Sequence, residues 1–230
     1  TYNEAENIAA LVAAALPQLA ATGREHRILV VDDGSPDGTG EIADRLAAEN
    51  PGRVEVLHRA SKDGIGPAYL AGFGRALAGG AELLMEMDSD FSHDPADIPR
   101  LVAAAERADL VLGSRYVPGG GVTDWGRGRR LISRGGSLYA RAILGIPVND
   151  LTGGFKCFNR RVLERLDLTG IDADGYGFQI EMTYRAIKAG FTVEEVPILF
   201  RDRRVGSSKM SARIAVEAFW KVPLLRLRSR

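Results

Sequence analysis

Asp88, Ser89 and Asp90 put two carboxylates one residue apart, directly after the apolar run Leu83-Leu84-Met85-Glu86-Met87. Alternate side chains of a strand share a face, so acids at this spacing converge on one point. Carboxylates held together repel unless one takes a proton or a cation lies between them. A hard divalent cation bridging a nucleotide diphosphate is the usual occupant of such a site, and a solvated acidic turn is the plainer alternative.

A second acidic pair, Asp32-Asp33, follows Ile28-Leu29-Val30-Val31 and opens the turn-forming run Asp-Gly-Ser-Pro-Asp-Gly. Carboxylates there can accept hydrogen bonds from a ribose diol or from base N–H groups. Arginines come next. Arg115, Arg127, Arg129, Arg130, Arg134 and Arg141 fall within 27 residues, and Arg130, Arg134 and Arg141 are spaced to share one helix face. They form either a solvated basic face or an anion site, since guanidinium forks match phosphate oxygens. Arg201, Arg203, Arg204 and Lys209 make a second cationic cluster. Two such clusters facing a cation-bound diphosphate would suit two phosphorylated substrates. Glu181 is a candidate base or sugar-binding carboxylate, or else a helix carboxylate that caps or pairs. His93 reads as a turn residue supporting the acidic motif, and His58 as a strand-end residue without chemistry.

Strand-like and helix-like segments alternate around these groups. Ile8, Leu11, Val12, Ala15, Leu16 and Leu19 form an apolar helical stripe, with Asn3 and Glu6 spaced as a capping box. Strands are predicted at 27–31, 54–57, 83–87, 109–113 and 191–199. Helices are predicted at about 66–78, 95–107, 128–144, 177–189 and 211–227, with another ending near Glu49. This alternation predicts one α/β domain spanning 1–230, with a mainly parallel central sheet flanked by helices. In such sheets ligands bind beyond the carboxyl ends of the strands. Thr1 to Glu4, Asp32-Asp33, Asp88 to Asp90 and Arg115 all fall at that edge. The opening helix has no strand to cross over from, so a first strand N-terminal to residue 1 is expected. Pro118-Gly119-Gly120-Gly121 begins a long loop, and residues 201–210 form a polar one.

Composition narrows the classes. Thirty acids balance thirty bases, which removes any whole-protein case for nucleic-acid binding. The single cysteine, Cys157, excludes an intrachain disulfide and a thiolate zinc site. No apolar stretch reaches the roughly 18 residues of a membrane span. The final segment, 211–230, mixes Phe219, Trp220, Leu224, Leu225 and Leu227 with Lys221, Arg226 and Arg228. It suits an amphipathic helix on an acidic membrane surface, or a terminal helix packed on the domain. Gly64-Ile65-Gly66 lacks the third glycine of a dinucleotide fingerprint, and no Walker sequence is present.

Seven motifs occur in order: Thr-Tyr-Asn-Glu (1–4), Val-Asp-Asp-Gly-Ser-Pro-Asp-Gly-Thr (31–39), Met-Asp-Ser-Asp-Phe-Ser-His-Asp-Pro (87–95), Gly-Ser-Arg-Tyr (113–116), Ile-Ser-Arg-Gly (132–135), Asp-Leu-Thr-Gly-Gly-Phe (150–155) and Gly-Ser-Ser-Lys (206–209). Together they resemble the dolichyl- or polyprenyl-phosphate mannose synthases among the family-2 inverting glycosyltransferases, over nearly the whole chain. The Ala/Arg-rich composition is most similar to that of the actinobacterial members. The resemblance implies a type A nucleotide-sugar-binding fold, GDP-mannose as donor and a polyprenyl or dolichyl phosphate as acceptor. It implies Mg2+ or Mn2+ at Asp88 and Asp90. By motif, Tyr2, Glu4, Asp32, Asp33, Asp88 and Ser89 belong to the nucleotide-sugar pocket, and Arg115, Arg129 and Ser133 to the acceptor phosphate. Arg203 and Lys209 match a loop over the donor diphosphate, so Asp90, Arg115, Arg129, Ser133, Arg203 and Lys209 form the implied catalytic set. Ser92 stands where some members carry a metal-binding Gln. A peripheral position on the cytoplasmic face of a membrane is implied, alone or with a membrane-anchoring partner or domain.

Three other readings remain at this level. A sister transferase would use UDP-glucose, UDP-N-acetylglucosamine or another donor. A non-catalytic nucleotide- or membrane-binding homologue would keep the fold alone, against which the intact Asp88, Asp90, Arg115 and Lys209 argue. A nucleotidyltransferase would need a Gly-rich, Lys/Arg-containing loop after its first strand, a region the chain does not contain.

Overall fold

The computed structural model describes residues 1–171, 176–202 and 220–227. In chain order the elements are α1 (Ile8–Ala20), β1 (Ile28–Asp32), α2 (Thr39–Glu49), β2 (Val54–His58), α3 (Ile65–Ala78), β3 (Leu83–Glu86), α4 (Ile98–Ala104), β4 (Leu110–Ser114), β5 (Gly121–Val122), α5 (Arg127–Leu144), β6 (Lys156–Asn159), α6 (Arg160–Arg165), α7 (Tyr176–Lys188), β7 (Val193–Pro197) and β8 (Leu199–Phe200). Residues 220–227 are also helical.

The central sheet has the order β3-β6-β4-β7. β4 and β7 run parallel, while β6 lies antiparallel between β3 and β4, pairing Glu86 with Lys156 on one side and Leu112 with Lys156 on the other. Beside it β1 and β2 form a parallel pair in register from Ile28↔Val54 to Asp32↔His58. A short parallel pair, β5 with β8, ties the loop after β4 to the chain after β7.

Alternation along the strands sorts side chains into two apolar layers. Leu84, Leu110, Leu112 and Phe158 point into the layer filled by α3, α5, α6 and α7, with Phe73, Leu144, Val162 and Phe178. Val111, Phe155, Cys157 and Val196 point the other way, against Ala15 of α1 and Ile98 and Leu101 of α4. All five residues of β4 are buried, as expected of a strand covered on both faces. Among the described residues no helix is long and apolar enough to cross a membrane.

Two local expectations need correction. The α1 stripe is as predicted, with Ile8, Leu11, Val12 and Ala15 buried, but the Asn3–Glu6 capping box does not form. Asn7 precedes the helix, and Glu4 accepts from Asn7 Nδ2 at 2.7 Å. Asn3 instead adopts φ 56° and donates its N–H to Ser35 Oγ at 3.0 Å. The first residues are claimed by the loop after β1, because that loop offers better acceptors than a helix start does. Strand β6, at Lys156–Asn159, was not anticipated: four residues with a lysine and an asparagine carry too little alternation to stand out.

Candidate active site

The carboxyl ends of β1, β3 and β4 set the site. At the end of β1, Asp32 is buried and accepts from the Ser35 N–H (3.2 Å) and Ser35 Oγ (2.5 Å). Asp33 pairs with Arg59 Nη1 at 2.5 Å, and the Arg59 N–H donates to the Asp32 carbonyl. Thr1 lies against this strand end: its backbone nitrogen donates to Val31 O, and its carbonyl accepts from Asp33 N–H. Lys62 Nζ stands 4.2 Å from the centroid of the Tyr2 ring. Tyr2, Glu4, Asp32 and Asp33 therefore do gather at one strand end. Arg59 and Lys62, which the sequence did not single out, join them.

At the end of β3, the Asp88 N–H donates to His93 Nδ1 (3.2 Å), and Tyr69 Oη donates to Asp88 Oδ1 (3.2 Å). The Asp88 side chain remains 35 % exposed, so it can meet a ligand. Phe91 adopts φ 61°, a region that costs a bulky residue of order 1–3 kcal/mol, and this turn folds Asp90 back so that its Oδ1 accepts the Ser92 N–H at 3.0 Å. Ser89 Oγ donates to Thr1 Oγ1, joining the ends of β1 and β3. His93 is buried between Phe155, stacked at 5.0 Å, and Phe200, edge-on at 5.3 Å. Burial pushes its imidazole pKa down against the pull of Asp88 and Asp90. It acts as a neutral acceptor that fixes the acidic turn, as anticipated.

Among the described residues no group of three or more His, Cys, Asp or Glu side chains forms a metal cluster. Two hard carboxylates suit Mg2+ or Mn2+ with the rest of the shell drawn from diphosphate and water. Ser92 Oγ, buried with no hydrogen-bond partner among the described residues, is a further oxygen beside Asp90.

Beyond β4, Arg115 is buried and bound to Asp150 by Nε (2.7 Å), Nη2 (2.7 Å) and its backbone N–H (2.9 Å), with Nη2 also donating to Thr152 Oγ1 (2.8 Å). Burial pushes the Asp150 carboxyl up, but the Arg115 guanidinium and its hydrogen bonds outweigh this and hold it below its ordinary value. Two guanidinium groups lie over the Trp125 ring, Arg129 Cζ at 4.2 Å and Arg115 Cζ at 5.7 Å from its centroid. Arg129 also pairs with Asp202 at 2.9 Å. Tyr116 Oη donates to Ser133 Oγ at 2.7 Å. Trp125 and Tyr116 thus join Arg115, Arg129 and Ser133 into one patch. A side chain on Gly120 would stand 2.5 Å from the Ser114 carbonyl, so only glycine lets this loop fold back on the end of β4.

The remaining arginines are used differently. Arg130 donates to Val122 O and Arg141 to Asn149 Oδ1, so neither joins the patch. Arg201 pairs with Asp94 at 3.4 Å. Arg203, Arg204 and Lys209 lie outside the described residues. Glu181 pairs with Arg185 one turn on, at 2.5 Å, which is the paired-carboxylate reading. His58 Nε2 lies 2.9 Å from Asp44 Oδ1. Tyr69, Arg59 and Asp150 were not singled out from residue pattern; of the three, Asp150, inside an ordered motif, carried the clearest signal.

Residues 1–167 match the family described as Glycosyl transferase family 2. The chain is 49 % identical over 234 aligned positions to polyprenol monophosphomannose synthase of Mycolicibacterium smegmatis, covering 100 % of this chain and 86 % of that protein. It is 47 % identical to undecaprenyl-phosphate mannosyltransferase of Micrococcus luteus, covering 100 % of this chain and 93 % of the relative. Among solved structures, glucosyl-3-phosphoglycerate synthase of Mycobacterium tuberculosis with Mn2+, UDP and phosphoglyceric acid gives a TM-score of 0.72 at 21 % identity, covering 98 % of this chain and 76 % of that one. Its complex with Mn2+ and UDP-glucose gives 0.70 at 19 % identity, with the same coverage. At that identity the likeness carries the fold, a type A glycosyltransferase domain. Two neighbouring acidic strand ends, at β1 and β3, the motifs that build them and relatives aligned across the full chain agree: the chain belongs to glycosyl transferase family 2.

Proposed function

We propose that this chain moves mannose from GDP-mannose to the phosphate of a polyprenyl or dolichyl monophosphate, with inversion, giving a polyprenyl-phosphate β-mannose. The observation that carries this reading is the pairing of an acidic strand end, Asp88 to Asp90, with an arginine patch around Trp125 on the neighbouring loop. The names of the two bacterial relatives support the lipid phosphate and the mannosyl group.

Asp88 and Asp90 would hold Mg2+ or Mn2+, which when bound supplies positive charge against the diphosphate leaving group. Tyr2, Glu4, Asp32, Asp33 and Ser89 would receive the nucleoside, with Asp33 already fixed by Arg59. Arg129 and Ser133 would orient the acceptor phosphate, and Arg115, locked by Asp150, would hold the end of β4 beneath it. Arg203 and Lys209 belong to the same proposal on the strength of the motif alone. A phosphate monoester has a second pKa of about 6, so it attacks as a dianion and needs no general base. Glu181, paired with Arg185, is accordingly left without a catalytic task.

The acceptor's lipid chain gives a second side of the molecule a purpose. Leu131, Ile132 and Leu138 on α5 are 75 %, 62 % and 64 % exposed, with Arg127, Arg130 and Arg134 interspersed. Trp220, Leu224 and Leu227 are also exposed, and Arg226 of the same segment bonds to the Ile143 carbonyl of α5. Residues 1–230 thus read as one catalytic domain whose α5 and final segment rest on the cytoplasmic face of a membrane, alone or beside an anchoring partner. Exposed apolar groups edged by arginine suit an anionic lipid surface.

Transfer of labelled sugar to a short polyprenyl phosphate tests the reading, comparing GDP-mannose with UDP-glucose, with and without EDTA. Mannosyl lipid formed only with a divalent ion is expected. Preference for UDP-glucose would overturn the donor assignment, and EDTA-insensitive transfer would overturn the metal assignment. Sedimentation with anionic vesicles, lost in Leu131→Ser/Leu138→Ser, tests the membrane surface.

A further inference from the structure

Gly154 lies in the loop entering β6, and the position where it lacks a side chain is ringed by polar atoms. A Cβ there would stand 3.5 Å from Gln179 Nε2, 3.6 Å from Asp88 Oδ1 and 3.6 Å from Tyr69 Oη. These groups come from α7, from the end of β3 and from α3. Gly154 and Tyr69 are only partly buried and Asp88 is 35 % exposed, with Gln179 buried behind them.

The Gln179 amide is not free to turn. Lys156 Nζ donates to Gln179 Oε1 at 2.5 Å and to its backbone carbonyl at 2.8 Å. An ammonium has no acceptor, so the amide oxygen faces Lys156 and the NH2 faces the other way, between the Glu86 carboxyl, which it bonds, and Gly154. Lys156 itself is fully buried 3.9 Å from Glu86, and burial pushes the Glu86 carboxyl up to about 8 and the Lys156 amine down to about 8. Glu86 sits two residues before Asp88, and Phe178 stacks on Tyr69 at 5.7 Å with the planes 7° apart. A buried ion pair is a poor source of stability, and fixing a neighbouring polar group is a better reason to keep one.

We propose that Gln179 contacts the hexose of the nucleotide-sugar donor, that Lys156 is the positioning residue which aims its NH2, and that Gly154 is bare so that the sugar hydroxyls can enter. An amide donor, a carboxylate acceptor and a phenol around one small space suit vicinal hydroxyl groups. The inference rests on the transferase reading and adds a sugar subsite to it.

The test compares affinities for GDP and GDP-mannose by titration calorimetry in Mn2+, for the full chain and two variants. Gln179→Glu keeps an acceptor for Lys156 but turns an oxygen toward Asp88. Gly154→Ala fills the space and leaves every polar group in place. Both should weaken GDP-mannose at least about tenfold while GDP stays within about twofold, and both should narrow the preference for GDP-mannose over GDP-glucose. A tenfold loss corresponds to about 1.4 kcal/mol, the size of one good hydrogen bond. A purely structural role would weaken both ligands alike, and that outcome, or no change in either variant, overturns the proposal. Should the unaltered chain prefer UDP-glucose, the mannose reading fails by itself. The same comparison with UDP and UDP-glucose then decides the fate of Gln179.

Discussion

Replacing Asp150 by Asn tests the central strut of the acceptor side. Asp150 is 0 % exposed and takes three hydrogen bonds from Arg115, whose side chain is 4 % exposed. Asn can still accept through one oxygen, but it leaves the guanidinium buried without its counter-charge. Removing one partner of a buried pair costs about 3–5 kcal/mol. For a domain of this size each kcal/mol moves the midpoint by about 2–4 °C, so Asp150→Asn should melt roughly 6–20 °C lower. Arg115→Met/Asp150→Leu removes both charges and should recover much of that loss. The pH dependence has a definite sign. The folded-state pKa of Asp150 lies below its ordinary 3.8, so its stabilisation is complete well above that value and is lost as the pH falls below it. The gap between the chain and Asp150→Asn should therefore narrow in acid. Thermal melting measures the midpoint shift, and urea denaturation at a series of pH values measures the free-energy loss, its recovery and its pH dependence. A loss under about 1 kcal/mol at neutral pH, or a gap that widens in acid, would refute the argument.

Asp90→Ala should abolish sugar transfer and cost about 1–3 kcal/mol of stability, because the buried Ser92 N–H loses its acceptor; normal turnover in that variant would remove the metal assignment. Arg129→Ala should raise the apparent KM for lipid phosphate more than for donor, and Arg129→Lys should recover only part, because a point charge lacks the planar stack on Trp125. A variant with unchanged lipid dependence would release Arg129 from the acceptor site. Burial pushes the Cys157 thiol up to about 12, so thiol reagents should leave the native chain untouched and label it only on unfolding. Labelling that outpaces global unfolding in denaturant would mean β6 opens locally.

Much of the fold and the acidic half of the site could be read from local chemistry. The stripe in α1, the β-branched run of β1 and the buried run of β4 follow from periodicity, which each segment carries within itself. Asp32, Asp33 and Asp88 lie at strand ends, as the pattern suggested, whereas β3 stops at Glu86 and Asp90 falls in the turn beyond it, buried, which alternation along a strand does not foresee. His93 was read correctly because it lies in the same turn as Asp88.

What the tertiary structure decided is which charges meet. Arg115 sat in a basic stretch, yet only the fold brings Asp150 beneath it, 35 residues away. Arg130 and Arg141, placed on one helix face with Arg134 by their spacing, are taken up by Val122 O and Asn149, while Trp125 and Asp202 hold Arg129. Lys156 and Glu86 look like surface residues by type, and only the antiparallel register of β6 buries them together under Asp88. Short-range pattern reports solvent against core, whereas partner choice depends on contacts tens of residues apart, whose geometry exists only once the sheet has closed.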